Sequence, residues 1–290
     1  MIYIILSILL NTLIFTLFKV FANYKVNTLQ TIVVNYVVCV ITGSLFIGTE
    51  PFHHYRTFEP WFYWALLTGG LFILVFSLLG YSIQKNGLTL STVTNKLSLI
   101  IPVIFAVVVY HEPLSYLKIL GVIIAFPAIY FSTQSSEKHT TSSILLLAAL
   151  FIFSGSLDTV MKYVETRYLQ ENSLFDLYLI QVFATAAFIG SIIIGIRTYQ
   201  GKLQLHYRNL ISGVILGVPN YFSMYFFLKF LQSDFLDSSA AIPVNNIGIV
   251  LLSGIAAMLF FKEKATGIKL LGLALSILSI LLLYFSKTHG

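Results

Sequence analysis

The chain has 290 residues, of which 58% are hydrophobic and only 10% charged, with a formal net charge of +6. A soluble domain carries about 25% charged residues, so this composition excludes a water-soluble fold and predicts a protein embedded in the bilayer. The basic residues are scattered at the ends of apolar runs, where lysine and arginine contact headgroups, and do not indicate nucleic-acid binding. Cys39 is the only cysteine, which excludes an internal disulfide and a cysteine-based metal site.

Apolar runs alternate with polar breaks along the chain and predict ten membrane-spanning helices. The first five spans are expected at 2–20, 29–48, 61–83, 88–110 and 116–133. The second five are expected at 143–163, 174–196, 208–230, 236–261 and 266–286. A polar linker, 135–142, divides the chain into a first five-helix repeat, 1–134, and a second, 143–290.

Two segments that lie 151 positions apart share one pattern of residues. Asn95 corresponds to Asn246, Glu112 to Glu263, and Gly121 to Gly272, since 246 − 95, 263 − 112 and 272 − 121 all equal 151. Five crossings reverse the orientation of the second copy, so the halves form an inverted repeat. Many secondary transporters are built in this way, with the substrate site in a central cavity between the halves.

These residues resemble the drug/metabolite transporter superfamily, in particular its ten-helix proteins with two EamA-type repeats. Residues 111–115 with Gly121, and residues 262–266 with Gly272, are similar to the family pattern Gly-Glu-x-Leu-Thr…Gly. Both copies lack the glycine before the glutamate, and the second copy also lacks the leucine. The resemblance implies a cavity lined by the first, third, fourth, sixth, eighth and ninth helices, and termini in the cytoplasm.

Polar side chains inside the spans are the candidates for substrate binding, because hydrocarbon tolerates them poorly unless they face the interior of the bundle. Lys96 is either a counter-charge for an anionic or zwitterionic substrate, or a side chain that reaches back to the interface. Asp158 either accepts a proton during transport or pairs with Lys162 four residues later on the same helix. The resemblance implies which helices line the cavity. On these helices, the predicted substrate-binding residues are Asn11, Tyr81, Asn95, Lys96, Asn220, Tyr221, Asn245 and Asn246.

A second group of residues is expected to act structurally. Glu112 and Glu263 lie in the breaks between spans and are predicted to cap helix starts. Pro102, Pro219 and Pro243 lie inside spans, where proline removes a backbone hydrogen bond and can expose carbonyl groups to a cavity.

The sequence therefore predicts a secondary carrier for a small polar metabolite, with an amino acid or related zwitterion favoured. A sugar or nucleotide-sugar is the alternative, which the asparagine and tyrosine side chains would bind. A membrane enzyme is disfavoured, since His-Glu is not followed by the second histidine of His-Glu-x-x-His and no phosphate-binding loop occurs. No cofactor and no metal are expected; the expected partners are the substrate, the lipid bilayer and, for coupled transport, protons.

The expected location is a bacterial cytoplasmic (inner) membrane, but the orientation is open. Alternation places ten Lys and Arg residues on one side and six on the side of the termini. The positive-inside rule would then place both termini outside, opposite to what the resemblance implies.

Overall fold

The computed structural model describes residues 2–24, 26–48, 59–109, 115–133, 141–169, 172–231, 238–264 and 266–288. Within these ranges the chain forms eleven helices and no strand. They are α1 Ile2–Asn23, α2 Thr28–Ile47, α3 Phe62–Asn86, α4 Leu88–Leu97, α5 Ile100–Val109, α6 Tyr116–Thr133, α7 Thr141–Tyr168, α8 Asn172–Tyr199, α9 Tyr207–Leu231, α10 Ser238–Phe261 and α11 Gly267–Thr288.

The predicted all-α membrane fold is confirmed. Seven of the described helical segments are long and apolar enough to cross a bilayer, with α4 and α5 counted as one, and three shorter apolar helices lie in α6, α10 and α11. Helices this apolar satisfy their backbone groups internally, as a membrane requires. The predicted bounds agree with the observed ones to within about five residues throughout.

The fourth predicted span is broken into two helices at Ser98 and Leu99. Pro102 lies four residues after Ser98, and a proline ring clashes with the carbonyl group of residue i−4 while offering it no N–H donor. The Ser98 carbonyl instead accepts from Ile101 N–H at 2.9 Å, and Val103 N–H donates to Leu99 at 3.3 Å. Proline thus determines where this span breaks.

The other two predicted hinge prolines lie in unbroken helices. α9 runs from Tyr207 to Leu231 through Pro219, and α10 runs from Ser238 to Phe261 through Pro243. A membrane helix stays continuous past a proline when the other backbone hydrogen bonds of that turn are formed. The three prolines therefore differ in effect.

The chain divides into two compact units, and neither coincides with one sequence repeat. The first unit comprises Met1–Lys19, Leu79–Gly155 and Phe222–Gly290, and the second comprises Val20–Leu78 and Ser156–Tyr221. Each unit takes segments from both halves of the sequence. The repeat boundaries at 134 and 143 remain a prediction about sequence similarity, which this division does not address.

In the first unit, α6 packs along α11, and these helices are the fifth spans of the two halves. Ser279, near the middle of α11, donates through Oγ to the carbonyl of Gly121, near the start of α6, at 2.7 Å. This bond fixes the point at which the two helices meet.

In the second unit, the second spans of the two halves, α2 and α8, form the corresponding pair. Gly190 lies against Val33, and Gly43 lies against Ile180. Because the contact moves forward in one helix as it moves back in the other, this pair is antiparallel. Antiparallel contact between equivalent helices is the arrangement that an inverted repeat produces.

Candidate functional site

Lys96 lies inside the fourth span, in the last turn of α4 and directly before the helix break. It is eight residues after Leu88, which corresponds to about 12 Å along the helix axis at ~1.5 Å per residue. Its Nζ atom lies 5.8 Å from the centre of the buried Phe15 ring on α1. The ring quadrupole and the negative end of the α4 dipole both favour the ammonium group at this position.

Asn95, the neighbour of Lys96, ties α4 to another helix of the first unit. Its Nδ2 donates to Oγ of Ser154 on α7 at 2.9 Å. Its carbonyl accepts from Oγ of Ser98 at 2.6 Å, which satisfies one of the backbone groups freed at the break. The position of Lys96 is thus fixed from α1 through Phe15 and from α7 through Asn95.

One face of α1 carries a row of residues spaced four apart: Ser7, Asn11 and Phe15. Asn11 donates through Nδ2 to the Ser7 carbonyl at 3.0 Å, and Ser7 donates through Oγ to the Ser223 carbonyl on α9 at 3.2 Å. The i, i+4 spacing places all three side chains on the same side of the helix. Asn11 therefore lies on the helix face that contacts Lys96.

Asn245 and Asn246 are both buried on α10 in the first unit. Oδ1 of Asn245 belongs to a side chain that is 6% exposed, and it has no hydrogen-bond partner among the described residues. The same holds for Oγ1 of Thr94 on α4 and of Thr12 on α1. An unpaired buried polar group costs about 1–3 kcal/mol by protein mutational data, so these oxygen atoms are available to a polar ligand or water.

Asn220 and Tyr221 belong to the second unit, where both are buried against α2. Asn220 donates through Nδ2 to Oδ1 of Asn35 at 3.2 Å. The Tyr221 ring packs edge-on against Phe46, with 6.3 Å between the ring centres. Both side chains therefore hold α9 to α2 in this structure.

Tyr81 and Asp158 are placed on exposed sides of their helices. Tyr81 on α3 is 44% exposed, and Asp158 on α7 is exposed together with Lys162 one turn later. Tyr81 belongs to the first unit and Asp158 to the second.

Glu263 caps a helix, but not the one that follows it in the sequence. Its carboxylate accepts from the backbone N–H of Leu88 at 2.7 Å and from Oγ1 of Thr89 at 3.0 Å, at the start of α4. A negative charge at a helix N-terminus satisfies free N–H donors and complements the helix dipole. The segment after α10 is therefore bonded to the start of the helix that carries Lys96. Glu112 lies outside the described residues.

Comparison with known proteins gives a family match for the first predicted repeat. Residues 2–134 match the model of the EamA-like transporter family. This match agrees with the resemblance seen in the sequence. Together with the apolar helices long enough to cross a bilayer, it indicates a multi-pass membrane protein.

Two further comparisons extend over nearly the whole chain. An uncharacterized protein of Haemophilus influenzae is 28% identical over 293 residues, covering 97% of each chain. A chain solved by crystallography aligns with a TM-score of 0.59 and 11% identity, covering 95% of this chain and 97% of its own. At that identity the solved structure supports the fold alone.

The fold divides the predicted site residues between its two units. Those in the first unit are Asn11, Tyr81, Asn95, Lys96, Asn245 and Asn246, and those in the second are Asp158, Asn220 and Tyr221. Sequence reasoning missed Phe15 and Ser154, the direct partners of Lys96 and Asn95. A signal for Phe15 was present, because it lies four residues after Asn11 on the same face of α1. Ser154 had the corresponding signal, since it precedes Asp158 by four residues.

Proposed function

We propose that this EamA-like protein is a secondary carrier that moves an amino acid or a related zwitterion by alternating access. The observation that carries the proposal is the position of Lys96, an ammonium group within a membrane span, held over the Phe15 ring beside Asn95. A substrate carboxylate would approach Lys96, and the buried amide and hydroxyl oxygens of the first unit would accept from a substrate ammonium group.

Energetics favour an anionic group at Lys96. A lysine near the centre of a membrane helix costs about 2.5–3.5 kcal/mol on insertion scales, and a cation–π contact returns about 0.5–2 kcal/mol. A charge-assisted hydrogen bond to a carboxylate contributes about 1.5–3 kcal/mol. Binding of a carboxylate therefore offsets much of the cost that Lys96 imposes.

Asp158 is the group that we assign to proton coupling. It is the carboxylate inside the sixth predicted span, and it is exposed on α7. The proposed setting is a bacterial cytoplasmic membrane, where a proton gradient is available. A sodium gradient or substrate exchange would leave Asp158 without this role.

Uptake into liposomes containing the purified protein tests the proposal. Pooled labelled amino acids, sugars and nucleotides are supplied with and without an imposed pH gradient. We expect saturable uptake of the amino-acid pool, with Lys96→Met and Asn95→Ala each reducing it at least tenfold and Asn246→Ala reducing it less. An increase under the gradient that disappears in Asp158→Asn would support proton coupling.

The chain offers a matched control for Lys96. Lys229, in the last turn of α9, lies 5.7 Å from the ring centre of Tyr225 and thus also makes a cation–π contact. Lys229→Met should retain uptake. Equal rates in the wild type, Lys96→Met and Lys229→Met would contradict the assignment of Lys96 to the substrate site.

A sugar is the second candidate, favoured by the unpartnered Oδ1 of Asn245. An amide oxygen that is buried without a donor suits a substrate hydroxyl group. Saturable uptake of the sugar pool that is lost in Asn245→Ala and retained in Lys96→Met would select this alternative.

A further inference from the structure

The end of α8 brings two basic side chains together by a specific backbone turn. Lys202 N–H donates to the Arg197 carbonyl at 2.9 Å, and Gly201 N–H donates to the Thr198 carbonyl at 2.9 Å. Gly201 has φ 67°, in the left-handed region that favours glycine. These two bonds and this φ value define a Schellman motif, which folds the chain back over the last turn of the helix.

A Schellman motif normally places two apolar residues in contact, one before and one after the turn. Here these positions hold Arg197 and Lys202, both of which are exposed. Two positive charges at these positions repel each other, and an anion between them would replace the repulsion by attraction. The turn is therefore built as a receptor for a negatively charged group.

An apolar surface continues from these cations toward the membrane interior. Ile193, Ile196, Arg197, Gln200 and Lys202 line one groove of about 400 Å³. Ile196 is 52% exposed, and Ile193 lies four residues before Arg197, about 6 Å further along the helix at ~1.5 Å per residue. The groove thus has cations at its mouth and aliphatic side chains along its length.

Aromatic side chains place this groove at the boundary between headgroups and hydrocarbon. Tyr199 is 95% exposed and Tyr207, at the start of α9, is 67% exposed. Tyrosine is enriched at the membrane–water interface, where its ring meets the headgroups. Basic pockets at the ends of membrane helices are suited to lipid phosphates.

We propose that this groove is a binding site for an anionic glycerophospholipid. The lipid phosphate lies between Arg197 and Lys202, Gln200 donates to a headgroup oxygen, and an acyl chain runs along Ile196 and Ile193. A free phosphate ion would use the two cations alone and leave the aliphatic part of the groove unused. The apolar lining therefore favours a lipid over a soluble anion.

Native mass spectrometry of the delipidated, full-length protein tests the site. The protein is titrated with dioleoylphosphatidylglycerol, with dioleoylphosphatidylcholine and with phosphatidylglycerol in the presence of millimolar inorganic phosphate. We expect one phosphatidylglycerol to bind before any phosphatidylcholine does. Arg197→Gln/Lys202→Gln should weaken this first binding step about tenfold or more. Arg167→Gln/Lys264→Gln removes the same charge from exposed positions elsewhere and should leave it unchanged.

A second variant separates the geometry of the turn from its charge. Gly201→Val keeps both cations, its Cβ atom meets no neighbouring atom within 4 Å, and it strains the backbone at φ 67°. It should therefore weaken the first phosphatidylglycerol step while the net charge stays the same, and it tests the site even if the double glutamine variant does not fold. Equal binding of the two lipids, wild-type binding by a folded Gly201→Val, or displacement by inorganic phosphate would each overturn the proposal.

Discussion

The backbone of Lys262 gives a physical reason for the glycine that the family pattern places before its glutamate. Lys262 has φ 52°, and it is the non-glycine residue with positive φ among those the structure describes. The turn that it makes lets Glu263 N–H donate to the Ala257 carbonyl at 3.1 Å and directs the Glu263 carboxylate to the start of α4. The chain therefore makes this turn with a residue that is strained in it.

Lys262→Gly should stabilise the protein. A non-glycine residue in the left-handed region costs about 1–2 kcal/mol of stability. Glycine has more conformational freedom in the unfolded chain, which lowers the free energy of unfolding by about 0.5–1 kcal/mol. The expected net gain is a few tenths to about 1 kcal/mol, measured as a rise in melting temperature in detergent. Lys264→Gly, two residues later and also exposed, should give no rise. A lower melting temperature for Lys262→Gly would show that the lysine side chain itself contributes to stability.

Individual side chains also show where sequence reasoning about the site ends. The identity and depth of Lys96 could be predicted from a charge inside an apolar run. Its aromatic partner could not, because Phe15 is one of 25 phenylalanines and nothing in the sequence states which of them meets α4. The role of Glu263 was predicted as capping, but the helix it caps lies 175 residues earlier, a contact set by packing and not by local pattern.

At the level of helices, α2 and α9 meet over small residues. An added Cβ atom on Gly217 would lie 2.6 Å from Cβ of Val38 and 2.8 Å from the carbonyl oxygen of Asn35. Close approach of this kind is typical of small residues between membrane helices. It allows Sγ of Cys39 to donate to the Gly217 carbonyl at 3.4 Å.

Gly217→Ala should therefore separate α2 from α9 and destabilise the protein by about 1–3 kcal/mol, as overpacking does. The measurement is the melting temperature in detergent, which should fall. Gly195→Ala is the matched control, since Gly195 is also within a helix and has no atom within 4 Å of an added Cβ. It should be neutral or gain up to about 1 kcal/mol from helix propensity. Equal melting temperatures for the two variants would mean that α2 and α9 can separate without cost.

Helix bounds were the most predictable feature, because hydropathy reports directly on burial in lipid. The effect of each proline was not predictable. Pro102 coincides with a break, whereas Pro219 lies in a continuous helix. Both remove one backbone donor, so the difference depends on how neighbouring residues satisfy the freed carbonyl group. At the break, the Ser98 carbonyl accepts from Ile101 N–H, a bond that cannot be predicted from the sequence.

At the level of the whole molecule, each unit contains a pair of helices from equivalent places in the two halves, and the inverted repeat predicts that each pair is antiparallel. The pair α6–α11 provides a direct test of this arrangement, because Gly121 and Ser279 are in contact there. In a background with Cys39→Ser, a Gly121→Cys/Ser279→Cys variant should form a disulfide on mild oxidation. A protease site is inserted in the predicted linker, 135–142. After cleavage there, the disulfide should keep the two halves joined on a denaturing gel.

Gly121→Cys/Gly272→Cys is the control for a parallel arrangement. These two glycines are equivalent in the repeats, and parallel helices would bring them together. With Ser279 against Gly121, residue 272 lies seven residues from this contact, about 10 Å along the axis, beyond the reach of a disulfide. Cross-linking of this control, and not of the first variant, would contradict the contact between Gly121 and Ser279.

The two halves have the same predicted order of spans, but equivalent spans differ in whether the helix is broken. Residues 98–99, where the fourth span breaks, correspond to 249–250 in α10, since 98 + 151 = 249 and 99 + 151 = 250, and α10 is continuous there. Ser253 occupies the place of Pro102, since 102 + 151 = 253. A continuous helix transmits a displacement along its length, whereas a broken one bends at the break. We therefore expect the fourth span to bend at Ser98 and Leu99, two residues after Lys96, and α10 to move without bending.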